Sequence, residues 1–372
     1  MLLLSCIVYV VAYSLLIGTI VSIGFIRQKQ KERTYSGSQI QLDEVVVLIP
    51  FRNEAHRIAP LLKSIQNLEK YPRSFVFIDD HSTDETAALV NSALEGIEHT
   101  VLSLPDDVTG KKGALRYATT QTESIWILTM DADVTMDASY FNHLSHLGQA
   151  DMYILPAIMV PVKTIEHFYA IDLYLVNAIN AGLAGIARPI VASGANLFYR
   201  RSTFQLVDNI ASHGHAASGD DTYLLRDFRL NRTDVRMITD PKLAVYTETP
   251  QSLREFVDQR LRWVGKTGNM KDFLSTVLAA LQTLLTAGFI ALLIAGIVAQ
   301  NYLLVAAISG LKIAIDMSLF YGFFSRTKCM KSWWLIPFYE VIFPVYTLVM
   351  LILLFTYRPK WKGRAIYAPK KE

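Results

Sequence analysis

Four stretches of this chain, Leu3–Ile26, Thr276–Ala299, Tyr302–Phe324 and Trp333–Phe355, stay apolar over the roughly 20 residues that a helix needs to cross a bilayer core. No other feature restricts the fold as much, because a lipid-facing segment must satisfy its backbone polar groups internally. Composition agrees: 52% of the 372 residues are hydrophobic and 19% are charged, against about 25% charged in a soluble domain. Between the first and second stretches lie about 250 residues of ordinary mixed character, enough for one large domain.

The first stretch lacks a basic leading segment and runs too long for a cleaved signal peptide, so it reads as an uncleaved anchor. The "LLSC" at Leu3–Cys6 comes too early for a lipoprotein cleavage box. The basic block Arg27–Arg33, "RQKQKER", predicts that the large domain stays in the cytosol, with the chain held in the cell (inner) membrane. Two cysteines, Cys6 and Cys329, provide neither a disulfide framework nor a metal site. The tail conflicts with this topology. Three later spans would put it outside, yet "RPKWKGR" (Arg358–Arg364) is strongly basic and belongs inside. One of the three is therefore expected not to cross fully, first among them Tyr302–Phe324, or else two form a re-entrant pair. In that stretch Lys312 and Asp316 stand one helical turn apart and are expected to pair. Glu340, in the last stretch, has no evident partner, and Pro344 is expected to bend the helix there.

The middle of the chain alternates strands and helices. "EVVVLIP" (Glu44–Pro50), "SFVFIDD" (Ser74–Asp80), "HTVLSL" (His99–Leu104) and "SIWILTM" (Ser124–Met130) read as strands. Ile58, Leu61, Leu62, Ile65 and Leu68 recur at helical spacing, and "KKGALRYATTQ" reads as another helix. Ser82 and Glu85 stand at capping-box spacing, which predicts a helix start there. Such alternation means an α/β fold, a mostly parallel sheet with helices on both faces. Ligands in such sheets bind at the carboxyl ends of the strands.

Three acidic clusters fall just past strand ends: Asn53-Glu54, Asp79-Asp80, and Asp131 with Asp133 in "MDADV". Each alone reads as a solvated loop. Three meeting at one edge would raise each other's pKa unless a cation joined them. Mg2+ or Mn2+ between Asp131 and Asp133 suits hard oxygen donors, with phosphates completing the shell. His213 and His215 in "SHGHAASGDD" read as part of a loop, and the "GDD" match is too short to argue for a polymerase, so no nucleic-acid partner is expected.

In order, "IPFRNE" (Ile49–Glu54), "IDDHSTDET" (Ile78–Thr86), "GKKGALRYA" (Gly110–Ala118), "MDADV" (Met130–Val134), "SGANLFYRRSTF" (Ser193–Phe204), "SGDDTYLLRDF" (Ser218–Phe228), "TETP" (Thr247–Pro250) and "QRLRW" (Gln259–Trp263) cover nearly all of residues 44–270. The set resembles the family 2 glycosyltransferases with a GT-A fold, in their membrane-anchored form, with Asp-x-Asp and Gln-x-x-Arg-Trp complete. Two positions depart: Arg116, where the family often has Asn, and Asp220-Asp221, where it often has Glu-Asp.

The resemblance implies transfer of a sugar from a nucleotide donor, with inversion, to an acceptor hydroxyl. It implies Asp221 as catalytic base and Asp131 and Asp133 as metal ligands. Pro50, Arg52, Glu54, Asp79, Asp80, Lys111 and Asp131 would meet the donor. Asp220, Gly194, Asn196, Gln259, Arg260, Arg262 and Trp263 would meet the acceptor or diphosphate. Three later spans look too few for a polysaccharide channel. The expected acceptor is therefore a membrane lipid or lipid-linked hydroxyl, and a UDP-sugar is the favoured donor. The alternatives are a processive polysaccharide synthase and an inactive membrane scaffold. A nucleotidyltransferase is disfavoured because "PFRNEA" replaces a Gly-rich loop after the first strand. His167–Ile186, mostly apolar, is expected either along the membrane interface or packed on the sheet. The expected segmentation is 1–30 anchor, 43–272 cytosolic catalytic domain, 273–357 membrane helices and 358–372 basic tail.

Overall fold

The computed structural model describes residues 1–37, 39–209, 220–269, 272–357, 360–361 and 364–365. His213 and His215 lie outside the described residues. The chain divides into two compact units, each discontinuous in sequence. One comprises Gln30–Val160 and Val191–Thr249; the other comprises Met1–Lys29, Pro161–Ile190 and Pro250–Ala365.

The first of these is built on β1 (Val45–Phe51), β2 (Ser74–Asp79), β3 (His99–Ser103), β4 (Trp126–Met130), β5 (Val134–Met136), β6 (Met152–Ile154), β7 (Ala157–Met159), β8 (Asn196–Arg200), β9 (Val235–Met237) and β10 (Val245–Thr247). Seven strands form one sheet in the order β3-β2-β1-β4-β8-β6-β9, with β1 to β4 mutually parallel and β8 antiparallel to β4. A second sheet has the order β5-β10-β7. The run Val45–Ile49, β-branched except at Leu48, is wholly buried, as a parallel strand covered on both faces must be. Leu61, Leu62 and Ile65, on the helix Ala59–Gln66, join Phe75, Phe77, Trp126 and Leu128 in one core. Trp126 stacks on Phe198 at 4.8 Å, which holds β4 to β8. Pro50 is tolerated in a central strand because pairing with β4 ends at Leu48, before the missing N–H matters.

One helix start differs from expectation. The helix begins at Thr86, not at Ser82, and Glu85 makes no side-chain cap bond. Ser82 is used elsewhere: its Oγ accepts from Asn53 N at 3.0 Å, and its N–H donates to Asp79 Oδ1 at 2.8 Å. Short polar side chains compete in this way with helix geometry. The capping oxygen is that of Asp84, which accepts from Thr86 N at 3.2 Å.

The other unit holds the apolar helices. Among the described residues five segments are long and apolar enough to cross a membrane: Leu2–Glu32, Thr164–Ile186, Phe273–Val298, Tyr302–Arg326 and Ile336–Leu354. The sequence reading counted four and left His167–Ile186 open; that helix packs in this unit. Length and composition do not single out Tyr302–Arg326 as the segment that fails to cross. Pro344 lies inside a helix that continues through it, Ile336–Thr356.

Helix contact is closest where Thr19–Gly24, a π-helical turn, meets Thr164–Ile186. A Cβ on Gly182 would stand 2.0 Å from Ile20 O, and one on Gly185 would stand 1.8 Å from Gly24 O. Only glycine permits that approach.

Lys312 pairs with Asp316 at 2.7 Å as expected, but Glu340 is not alone. The Lys312 ammonium also donates to Glu340, and the Tyr13 hydroxyl donates to Asp316 Oδ1 at 2.6 Å. The partner comes from another helix, 28 residues away, which spacing within a helix cannot reveal.

Candidate active site

Because β1, β2 and β4 run parallel side by side, their carboxyl ends share one edge, and the acidic clusters emerge there. The exits of β1 and β2 are laced together. Asp80 N donates to Phe51 O at 2.9 Å, Thr83 N to Asn53 Oδ1 at 2.8 Å, and Glu54 N to Thr86 Oγ1 at 3.0 Å. Asn53 and His81, one at each exit, hold left-handed backbone at φ 52° and 59°, a conformation that surrounding contacts must over-determine. Asp84 binds the lacing together. Burial pushes its carboxyl up, but the Thr86 hydroxyl and the N–H groups of Ala55 and Thr86 outweigh this and hold it below its ordinary range.

The donor-side residues of the sequence reading are all at this edge. Arg52 Nη1 donates to Asp80 O at 2.8 Å and lies 3.9 Å from Asp80 Oδ1. Asp80 is buried, whereas the Asp79 carboxylate is occupied by Ser82 N. Glu54 is also buried and pairs with Arg57 at 3.1 Å. Arg57 reaches on to Asp133 at 3.7 Å, and Lys111 Nζ meets Asp131 Oδ1 at 2.5 Å. Each Asp of the Asp-x-Asp run thus sits beside a protein cation, while its side chain stays 39% (Asp131) or 30% (Asp133) exposed.

Among the described residues no three His, Cys, Asp or Glu side chains converge into a complete metal cage. Two half-exposed carboxylates one residue apart nonetheless fit Mg2+ or Mn2+, which take one or two carboxylates and fill the remaining positions with water and phosphate oxygens.

Strand β8 returns antiparallel to β4, with Asn196 opposite Met130, so the loop before β8 arrives at the same edge. There the N–H of Gly194 donates to Asp221 Oδ2 at 3.1 Å. The other oxygen, Oδ1, accepts from Thr222 N at 2.6 Å and Thr222 Oγ1 at 3.0 Å. Asp221 is thereby fixed in direction near the start of the helix Asp220–Leu230. The side chain of Asp220 lies outside the described ones. Beside Asp221 a cavity is lined by Lys112, Arg116, Thr129 and Leu224 among others. Arg116, the departure from the family pattern, pairs with Asp208 at 2.8 Å on its wall.

Asn196 has a different job from the one expected. It is fully buried, accepts from Tyr140 Oη at 2.6 Å and donates to the carbonyls of Pro156 and Leu243 at 2.7 and 2.9 Å. Its amide ties the strand ends together instead of facing the edge. Burial drives the Tyr140 hydroxyl pKa up, against the pull of the Asn196 hydrogen bond, so it remains a donor to that amide.

The "QRLRW" run lies on the helix Leu253–Asn269 of the apolar unit. Arg260 is buried, Nε being 2.8 Å from Asp172 Oδ2. Gln259 Oε1 is buried with no hydrogen-bond partner among the described residues. Arg262 and Trp263 are half-buried.

Sequence reasoning passed over Arg57, Asp84 and Asp172. For Arg57 a signal existed, its i,i+3 spacing from Glu54. Asp172 also left one, an acidic residue inside an apolar stretch.

The glycosyl transferase family 2 model matches residues 46–203, and the glycosyl transferase family group 2 model matches residues 126–357. A curated relative, the poly-β-1,6-N-acetyl-D-glucosamine synthase of Staphylococcus aureus, is 25% identical over 256 residues, which is 64% of this chain and 58% of that one. The chain therefore spans little more than half the length of that relative. Among solved structures, a mannosyltransferase from Pyrobaculum calidifontis in complex with GDP-Man and Mn2+ superposes with a TM-score of 0.57 at 16% identity. That superposition covers 95% of this chain and 99% of the other, and it shows a shared fold. With the second family model running from β4 to the last apolar helix, this chain belongs to glycosyl transferase family 2, and it is a membrane-type glycosyltransferase with a GT-A catalytic unit.

Proposed function

We propose that the protein moves one sugar from a nucleotide-sugar, a UDP-sugar being favoured, to a hydroxyl of a membrane lipid or lipid-linked acceptor, with inversion and with Mg2+ or Mn2+. The observation that carries this is the meeting at one sheet edge of a half-exposed Asp-x-Asp with a carboxylate, Asp221, fixed by three donors. In the displacement the acceptor oxygen forms a bond to the anomeric carbon as the bond from that carbon to the diphosphate oxygen breaks. The acceptor proton passes to Asp221, and the nucleoside diphosphate leaves. Gly194 N–H and Thr222 hold the Asp221 carboxylate in one direction, so no reorientation is needed as the proton arrives.

Asp131 and Asp133 would hold the cation, which supplies Lewis-acid stabilisation of the leaving diphosphate. Lys111, already beside Asp131, adds a second positive charge for the same oxygens. Glu54, Asp80 and Arg52, buried or laced at the exits of β1 and β2, form the donor cradle, with Pro50 and Asp79 shaping its backbone. Gln259, Arg262 and Trp263 enter through the family signature as acceptor and diphosphate residues. The Gln259 oxygen, buried without a donor among the described residues, supports this, because such an acceptor costs about 1–3 kcal/mol that a substrate group would recover. The catalytic unit is assigned to the cytosolic side of the cell membrane on the strength of the Arg27–Arg33 block.

A second reading, a processive polysaccharide synthase, is favoured by the similarity to the S. aureus enzyme over 64% of this chain. One experiment separates the two. Purified protein is incubated with membrane lipid extract and a panel of UDP- and GDP-sugars with either metal, and released nucleoside diphosphate and product size are read. Lipid-extractable product of single-sugar mass supports the first reading, and a long water-soluble polymer supports the second. Asp221→Asn should abolish release in both.

A further inference from the structure

The two arginines of "QRLRW" have different surroundings. Side chains two apart on a helix do not face the same way, and Arg260 faces inward at 2% exposure. Its Nε lies 2.8 Å from Asp172 Oδ2, and Nη2 donates to Tyr169 O at 2.7 Å. The guanidinium lies 4.4 Å from the centre of the Trp263 ring and 5.0 Å from that of Phe256. Asp172 is saturated in turn. The hydroxyls of Tyr339 and Tyr346, seven residues apart on one helix, donate to Oδ1 and Oδ2 at 3.2 Å each. Three helices thus converge on one carboxylate: Thr164–Ile186, Leu253–Asn269 and Ile336–Thr356.

A guanidinium neutralised by a carboxylate, bonded to a carbonyl and laid on two rings is committed to the protein. We propose that Asp172 is a positioning residue for sugar transfer: it locks Arg260, and Arg260 fixes the plane of the Trp263 indole. This replaces the assignment of Arg260 to the diphosphate. It rests on the reading above in which Trp263 meets the acceptor, and it gives that ring a defined support. The indole needs one, because a flat face guides an acceptor only if its tilt is set, and planar stacking by arginine sets it in a way that lysine could not.

The test uses the full chain in detergent, with Asp172→Asn, Asp172→Glu, Arg260→Gln and Trp263→Phe. Turnover is read with the nucleotide-sugar that wild type uses best. Trp263 emission is read as the difference between each background with and without Trp263→Phe. The expected result for Asp172→Asn and Arg260→Gln is a fall in kcat of about tenfold or more, donor KM within about threefold, and a red-shifted Trp263 emission. Asp172→Glu, which keeps the charge, should restore kcat to within about threefold of wild type and should fold even where the neutral variants do not. The proposal is overturned if Arg260→Gln raises donor KM tenfold while Asp172→Asn leaves it unchanged, since Arg260 would then bind the diphosphate itself. It is equally overturned if Trp263 emission does not move in any Asp172 or Arg260 variant. Should wild type turn over no nucleotide-sugar, the reading of function fails, and the emission measurement alone decides whether Asp172 and Arg260 hold the indole.

Discussion

The charges at the sheet edge and the charges among the apolar helices are arranged on opposite plans. At the edge, Asp131 sits beside Lys111 and Asp133 beside Arg57, and both carboxylates remain about one third exposed, within reach of solvent. Among the helices, Lys312 serves two carboxylates at once, and Asp316, 1% exposed, also receives the Tyr13 hydroxyl. Asp172 is filled in the same way by Arg260, Tyr339 and Tyr346. Exposure leaves a carboxylate accessible to a ligand from solvent. Pairing with partners on several helices turns it into a joint between them. A charged side chain in an apolar segment is commonly read as a functional site; here partners on neighbouring helices make Asp316 and Asp172 structural joints.

The largest expected effect tests the helix unit where no charge is involved. Gly185→Val places a side chain where even a Cβ would lie 1.8 Å from Gly24 O, so the unit should fail to assemble. Size-exclusion profiles in detergent should show aggregate in place of a monodisperse peak. Next comes a paired test of the two plans. Lys312→Met strands two buried carboxylates and should cost about 3–5 kcal/mol, seen as a sharp drop in apparent melting temperature. The triple change Lys312→Met, Asp316→Asn, Glu340→Gln should recover most of that loss. Lys111→Met, by contrast, removes a half-exposed pair worth about 0–1 kcal/mol, and it should leave melting nearly unchanged while lowering turnover. If both lysine variants melted alike, the contrast between joint and reactive edge would fail.

The smallest effect concerns acid. With its folded pKa held below the ordinary 3.8, Asp84 contributes stability that is complete above that value and is lost as pH falls through the lower folded one. Asp84→Asn should therefore flatten the acid limb of a pH–stability curve below about pH 4 and change little at neutral pH. An unaltered acid limb would show that the lacing of the β1 and β2 exits does not depend on this carboxylate.

Much of the sheet edge could be read from the sequence because its cause is local. Largely β-branched runs such as Val45–Ile49 force buried parallel strands, and strand ends then carry Glu54, Asp80, Asp131 and Asp133 to one rim without further information. What escaped reading depends on partners distant in the chain. Asn196 looks like any polar residue in a loop until Tyr140, Pro156 and Leu243 surround it. Glu340 looked unpaired because Lys312 comes from another helix. The Thr164–Ile186 helix fitted two environments by periodicity alone, and glycines at 182 and 185 decided for the apolar unit by permitting backbone contact. The helix start at Thr86 was misplaced because Ser82 had a competing local bond.

The central claim is that neighbouring carboxylates at the rim hold a divalent cation so that a nucleoside diphosphate can depart. The most direct measurement is nucleoside diphosphate release by wild type and by Asp131→Ala/Asp133→Ala, each with EDTA and then with excess Mn2+ or Mg2+. The account predicts a fall of about 100-fold or more on chelation, reversed by metal in the wild type only. Undiminished release by the double variant, or by wild type under thorough chelation, would contradict it.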